Sequence, residues 1–388
     1  MFGVWNSHAG FGVFLPVLAR EFHWSRGAIS VAASLNLLVG GALALGVGAA
    51  GDRYGPRPAL LLSALVLGAV YMLASRLSAL WHFYLLLGLL AGAGMSAMYI
   101  VPTATVSRWF VERRGLALGI LLTGLNLAYV TGGPLSAYLI SAVGWRKAYV
   151  VLGALVWLVV IPASLLTRLP PASRAPSGDG TPAAPGASAA AAPGVTIREA
   201  LGDRRLWLLA GSWALLGMAY MTVVIHIVPH IRDRGVTLEA ASLALTIWGL
   251  SQIAGSLLFG LVADRLGTRL TFRVCLVMEL VSLTAVLTGP PLSLLYLLIA
   301  GIGVGSGGTD TTIAKAASEI FGLRAIGAII GIITLGWRVG AALGPPTAGF
   351  IYDATGSYSP AFGLASAALA LGLVLFTLAA SADRGHAH

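Results

Sequence analysis

Runs of about twenty mostly apolar residues recur along the whole chain, and nothing else in the sequence limits its folding as strongly. A helix rising 1.5 Å per residue needs about 20 such residues to cross the hydrocarbon of a bilayer. Runs of that kind lie near residues 1–19, 28–50, 58–77, 80–106, 115–142, 146–167, 205–230, 241–263, 270–289, 292–317, 325–351 and 360–381. The expected fold is an all-α membrane protein of twelve transmembrane helices. Composition agrees: 57% of the 388 residues are hydrophobic and 10% are charged, with a mean hydropathy of +0.88. Too little polar surface is left to cover a soluble domain of this size.

Between the sixth and seventh runs, Leu169–Val195 is rich in Pro, Ala, Ser and Gly, a composition that cannot bury a core and reads as a flexible linker. The parts on either side repeat one another. GAAGDRYGPR (Gly48–Arg57) returns as GLVADRLGTR (Gly260–Arg269), an offset of 212. FVERRGLALG from Phe110 and FGLRAIGAIIG from Phe321 each lead to a Gly-Pro, at 133–134 and 344–345. FLPVLAREF pairs with IVPHIRDRG, setting Pro16 beside Pro229. Three anchors within one residue of a common register indicate two pseudo-symmetric six-helix halves. The expected organisation is a half over 1–168, a cytoplasmic linker over 169–204 and a second half over 205–388.

The net charge of +10 is spread over short loops in the manner of positive-inside topology, not in the long stripe that nucleic acid requires. With both termini on the linker side, that side carries sixteen Lys and Arg against seven opposite. The reading is a multi-pass protein of the plasma (bacterial inner) membrane with cytoplasmic termini. Register with the seventh span leaves the first helix short by about two turns. No cleavable signal peptide is expected. The lone Cys275 excludes an intramolecular disulfide and reads as a small buried hydrophobe. No nucleotide-binding glycine loop, catalytic triad or metal-ligand cluster stands out, so enzyme activity, a cofactor and a metal are not expected.

GxxxDRxGxR closes both the second and the eighth helix. Its glycines permit a tight turn, and its charges suit a neighbouring helix end. A conformational latch is therefore expected of Asp52, Arg53 and Arg57, and again of Asp264, Arg265 and Arg269. At this point the sequence resembles the major facilitator superfamily along its whole length: twelve spans, the duplicated motif and a central loop. A narrower likeness is also present. WFVERRGLALGILLTG (Trp109–Gly124) and GVFLPVLAREFHWSRGAIS (Gly12–Ser30) are similar to segments of the monocarboxylate transporter family and its oxalate–formate relatives. That resemblance implies a secondary transporter of small organic anions. The chain departs from it in three places. The acidic, Gly- and Trp-rich opening motif is absent, Gly255 stands where an eighth-helix arginine is expected, and the first-helix lysine position falls near His8 or Ala9.

One charged residue interrupts GIITLGWRVGAALGPP (Gly331–Pro346): Arg338. A mid-span guanidinium costs roughly 2.5–3.5 kcal/mol on insertion scales, so a partner, a wet cavity or a bound anion must offset it. Fourteen residues from Arg324, at the turn between the tenth and eleventh spans, lie Arg338 on one side and Asp310 on the other. The two are expected at one depth near mid-bilayer, about 20 Å from the turn. Arg338 is read as the anchor of a substrate carboxylate, for which its planar fork is suited. Asp310 either holds that fork or titrates with a coupled proton; the alternative is a structural ion pair.

Asn126, Tyr99, Tyr220, Gln252, Trp248, Trp337, His8 and Asn6 are further candidate cavity residues, and Glu279 and His226 further candidates for a proton. Trp248 and Gln252 share a helix face at i, i+4. The expected protein is a monomeric secondary active transporter in the lipid bilayer. It carries a small organic anion, a mono- or dicarboxylate, by alternating access with a proton. Exporters of drugs or metabolites, anion exchange and a transporter-like receptor are the rivals.

Overall fold

A computed structural model describes residues 10–109, 114–168, 194–322 and 324–381. Its long helices follow the apolar runs: α1 (Phe11–Phe22), α2 (Arg26–Tyr54), α3 (Pro56–Ala74), the composite α4 (80–109), α5 (Arg114–Val143) and α6 (Trp145–Leu166). After a short helix, Ile197–Gly202, come α7 (Arg204–Asp233), α8 (Leu238–Leu266), α9 (Thr268–Val286), α10 (Leu292–Phe321), α11 (Ile326–Thr355) and α12 (Ser359–Ser381). Among the described residues, nine spans are long and apolar enough to cross a membrane. The linker residues 169–193 lie outside the description, as do Asn6 and His8.

The turn inside the duplicated motif is the same in both repeats. Gly55 has φ +87° and Gly267 +86°, left-handed values that a side chain resists. Each is followed two residues later by an arginine that reaches the end of the sixth helix of its own repeat. Arg57 Nε donates to the Thr167 carbonyl just beyond α6 (3.0 Å), and an Arg269 guanidinium N–H donates to the Ala380 carbonyl in the last turn of α12 (2.8 Å). Carbonyls at a helix C-terminus lack intrahelical donors and carry partial negative charge, so a cation is well placed there. Lys315 of α10 pairs with Asp264. The side chains of Asp52 and Arg53 lie outside the description. Arg269→Ala is expected to cost roughly 0.5–1 kcal/mol, seen as a small fall in melting temperature. An unchanged melting temperature would leave the contact without a stabilising role.

The fourth span is irregular. It runs as Leu80–Phe83, then a π-helical stretch Tyr84–Leu90, then Ala91–Met95 and Ala97–Trp109. A π turn widens the helix and perturbs its regular hydrogen bonding. Here the buried Asn36 of α2 donates its Nδ2–H to the Leu87 carbonyl at 3.0 Å.

The chain forms two compact units that cut across the sequence repeats. One comprises Met1–Pro170, Met221–Leu250 and Ala342–Phe362; the other comprises Pro171–Tyr220, Ser251–Ala341 and Gly363–His388. Within the first, three helices of the first repeat meet three of the second at backbone distance. A Cβ added to Gly12 of α1 would sit 2.6 Å from the Ile225 carbonyl oxygen of α7. One added to Gly349 of α11 would meet Gly27 of α2 at 2.6 Å, and one on Gly133 of α5 would meet the Ser242 carbonyl oxygen of α8 at 3.0 Å. Side chains then donate across these seams: Ser34 to the Ala342 carbonyl, and Thr246 to the Val130 carbonyl at 2.7 Å.

Candidate functional site

In the second unit, α10 packs between α8 and α9 because one stretch of it is nearly free of side chains. Gly303, Gly305, Gly307 and Gly308 are all buried. A Cβ on Gly305 would lie 2.5 Å from Cγ of Glu279 and 2.7 Å from the Cys275 carbonyl oxygen. Gly307 faces the Gln252 carbonyl of α8, and Gly308 faces the Cys275 thiol of α9. The polar groups come with this close approach. Glu279, only 5% exposed, accepts a hydrogen bond from Thr309 Oγ1 at 3.0 Å. One residue on, Asp310 accepts from Gln252 Nε2, also at 3.0 Å. The Ser256 hydroxyl donates to the Gly307 carbonyl. Two carboxylates thus sit in one helix cluster, Glu279 of α9 buried and Asp310 of α10 exposed.

Arg338 is half-buried on α11 and is not without interactions there. Among the described residues no ion pair joins it to Asp310, whose recorded donor is Gln252. The neighbouring Trp337 lies 6.0 Å from Tyr220, ring centre to ring centre. The two rings meet because α7 and α11 approach closely: Gly217 faces the Trp337 carbonyl, and Gly336 the Ala210 carbonyl. Four of the candidates named from sequence therefore form two pairs in this unit, Gln252 with Asp310 and Tyr220 with Trp337. Trp248 is 1% exposed and belongs to the packing of the first unit. Tyr99 is 42% exposed on α4. The side chain of Asn126 lies outside the description.

His226, named above as a candidate for the proton, lies on α7. It is fully buried, with Nε2 2.8 Å from the Pro345 carbonyl and Nδ1 3.1 Å from the Tyr358 hydroxyl. A carbonyl only accepts, so Nε2 carries the hydrogen and the neutral ring's Nδ1 accepts from Tyr358. The Tyr358 oxygen in turn accepts from Arg26 at 3.0 Å. Arg26 opens α2 and makes a two-pronged ion pair with Asp233 at the end of α7, at 2.7 Å on each prong. Its guanidinium carbon lies 3.9 Å from the centre of the Tyr352 ring. Asp353 of α11 accepts from the backbone N–H groups of Arg26 and Gly27, each at 2.8 Å. Arg26, Asp233, Asp353 and Tyr358 were not among the sequence candidates. The one signal available was a Ser-Arg pair opening a helix, with Ser25 as its cap.

The sequence profile of the Major Facilitator Superfamily matches residues 1–241 and 224–387. Monocarboxylate transporter 13 of Bos taurus is 29% identical over 389 residues, covering 97% of this chain and 86% of that protein. Monocarboxylate transporter 11 of Mus musculus is 30% identical over 384 residues, covering 94% and 81%. Among solved structures, a bacterial homologue of the human lysosomal transporter Spinster superposes with a TM-score of 0.75 at 15% identity, covering 98% of this chain and 92% of that one. The family profile spans nearly the whole chain. This protein therefore belongs to the Major Facilitator Superfamily, whose members are transporters rather than enzymes.

Proposed function

We propose that this multi-pass membrane transporter carries a small organic anion, a mono- or dicarboxylate, by alternating access, and that a proton moves with it. The observation that carries the reading is Arg338, a half-buried guanidinium midway along an otherwise apolar span. Its fixed charge and planar fork suit a carboxylate. The Trp337–Tyr220 pair beside it supplies apolar surface for a small carbon skeleton. Relatives named monocarboxylate transporters support the same class of cargo.

An inside-negative membrane potential opposes accumulation of an anion, at about 2.3 kcal/mol per charge per 100 mV. Uptake with a proton removes that opposition. Asp310 is the group we assign to it, because it is an exposed carboxylate that the residue count sets at the depth of Arg338. Glu279, which packs against Gly305 and accepts from Thr309, is the second candidate. The two repeats rock about this midplane site, in a monomer of the plasma (bacterial inner) membrane with both termini cytoplasmic.

Thermal stabilisation of the purified protein by a panel of small carboxylates, set beside neutral and cationic solutes, tests the reading. A ligand at a hundred times its Kd adds about 2.7 kcal/mol to the folded state. The expected result is that a carboxylate raises the melting temperature of the wild type and leaves that of Arg338→Ala unchanged. An equal response in the variant would overturn the assignment of Arg338 and leave a transporter of other cargo.

A further inference from the structure

We propose that Arg26 is the key of a reversible latch that holds the transport path shut at the end of α7 remote from the linker. α7 starts directly after the linker-side short helix, at Arg204, and ends at Asp233, a rise of about 45 Å over its 30 residues. Asp233, Asp353 and Tyr358 all belong to the second repeat, whereas Arg26 belongs to the first. In the fold they lie in one compact unit, which takes in Met221–Leu250 and Ala342–Phe362 together with the first repeat.

Two properties make this cluster a latch and not ordinary packing. The first is that its hydrogen bonds converge on one residue. The guanidinium of Arg26 is 14% exposed and makes three bonds at once, two to Asp233 and one to Tyr358. The backbone N–H groups of Arg26 and Gly27 are both held by Asp353. Moving α2 away from α7 or α11 breaks all of these together, so the closed arrangement is held cooperatively. The second is the nature of the seams around it. Gly12 and Gly349 let backbones approach across the seams, while the Phe350 ring of α11 lies on Gly27 and Leu245 of α8 lies on Gly133, and the cross-seam bonds of Ser34 and Thr246 end on carbonyls. These seam contacts of glycine, apolar side chain and carbonyl are uncharged, which leaves the charged cluster as the directional tie. His226 extends the cluster inward, linking Tyr358, just before α12, to the Pro345 carbonyl of α11. The movement of Arg26 is thereby connected to two helices of the second repeat.

The test follows the reactivity of a buried reporter. In a Cys275→Ser background, Ser34→Cys places a thiol on the α2–α11 seam, where Ser34 is 8% exposed. Its rate of reaction with a polar maleimide is read by mass spectrometry in reconstituted protein. Arg26→Ala and the isosteric Asp233→Asn are each expected to accelerate labelling on the order of ten-fold, an equilibrium shift of 1.4 kcal/mol. The double variant is expected to label no faster than the faster single one, because either change alone breaks the same pair. Asp233→Asn keeps the shape of the site, so its folding is checked by its melting temperature beside the parent. Labelling at the parental rate in both single variants overturns the latch. So does a double variant whose acceleration equals the product of the singles, since the two residues would then act independently.

Discussion

Alanine in place of Gly305 is expected to lower the melting temperature of the purified protein and its monodisperse yield, although the same change elsewhere in a helix commonly helps. Glycine in a helix interior gives up roughly 0.5–1 kcal/mol relative to alanine. At Gly363 of α12, where an added Cβ meets nothing within 4 Å, the substitution should be neutral or stabilising. At Gly305 the new carbon meets Cγ of Glu279 at 2.5 Å and the Cys275 carbonyl oxygen at 2.7 Å. A carbonyl in a packed helix cannot swing aside as a side chain can, so α9 and α10 must separate. Overpacking of this kind costs about 1–3 kcal/mol. The pair therefore has opposite expected signs, read by thermal melts of Gly305→Ala and Gly363→Ala side by side. Melting shifts of the same sign in both would show that the α9–α10 approach has more room than the structure gives it. The same separation would draw Glu279 away from Thr309.

The second large effect is expected at Asp310. In Asp310→Asn, accumulation driven by a pH gradient should fall to the level seen without a gradient, while exchange of labelled for unlabelled substrate continues. Asparagine keeps an oxygen for the Gln252 amide and loses the ability to take up a proton at neutral pH. Both assays would use the carboxylate selected by the stabilisation screen. If gradient-driven accumulation survives, Asp310 is not the proton carrier, and Glu279 becomes the residue to test. If exchange is lost as well, the carboxylate is needed to build the site itself.

Much of this architecture can be read before any coordinates, because period and length report it. The tenth apolar run begins at Leu292, where α10 begins, and the seventh begins one residue after α7 does. The duplicated motif likewise announces two equal turns, and the arginines that end it do reach helix termini. What the sequence does not carry is rotation. Counting residues from a turn sets the depth of Asp310 and Arg338, yet each residue turns the helix by about 100°. Depth therefore says nothing of which neighbour a side chain meets. The recorded partner of Asp310 is Gln252, from a helix that the count never involved. The Arg26 cluster is harder still to see. Its members are separated by 207 residues to Asp233 and 332 to Tyr358, so no local pattern links them, and at sequence level each is one more loop charge or aromatic residue. Trp248 shares a helix face with Gln252 by spacing, yet it is buried and the two fall in different units.

The π-helical stretch of α4 also bears on the ancestry of the chain. From the duplicated motif up to it, the two repeats correspond at an offset of 212: Ala79 precedes α4 as Pro291 precedes α10, and Leu67 of α3 occupies the place of Glu279 of α9. After it the offset is 211. A Cβ on Gly94 would meet Leu67 at 2.6 Å, as one on Gly305 would meet Glu279 at 2.5 Å. The first copy thus holds one residue more than the second, somewhere between Ala79 and Gly94, and Tyr84–Leu90 is where a widened turn can hold it. In an ordinary helix that extra residue would have swung every later side chain by about 100° and set Gly94 against the wrong neighbour. Since the duplication, one copy has gained a codon or the other has lost one, and the bulge is the trace that let the glycine seam outlive the change.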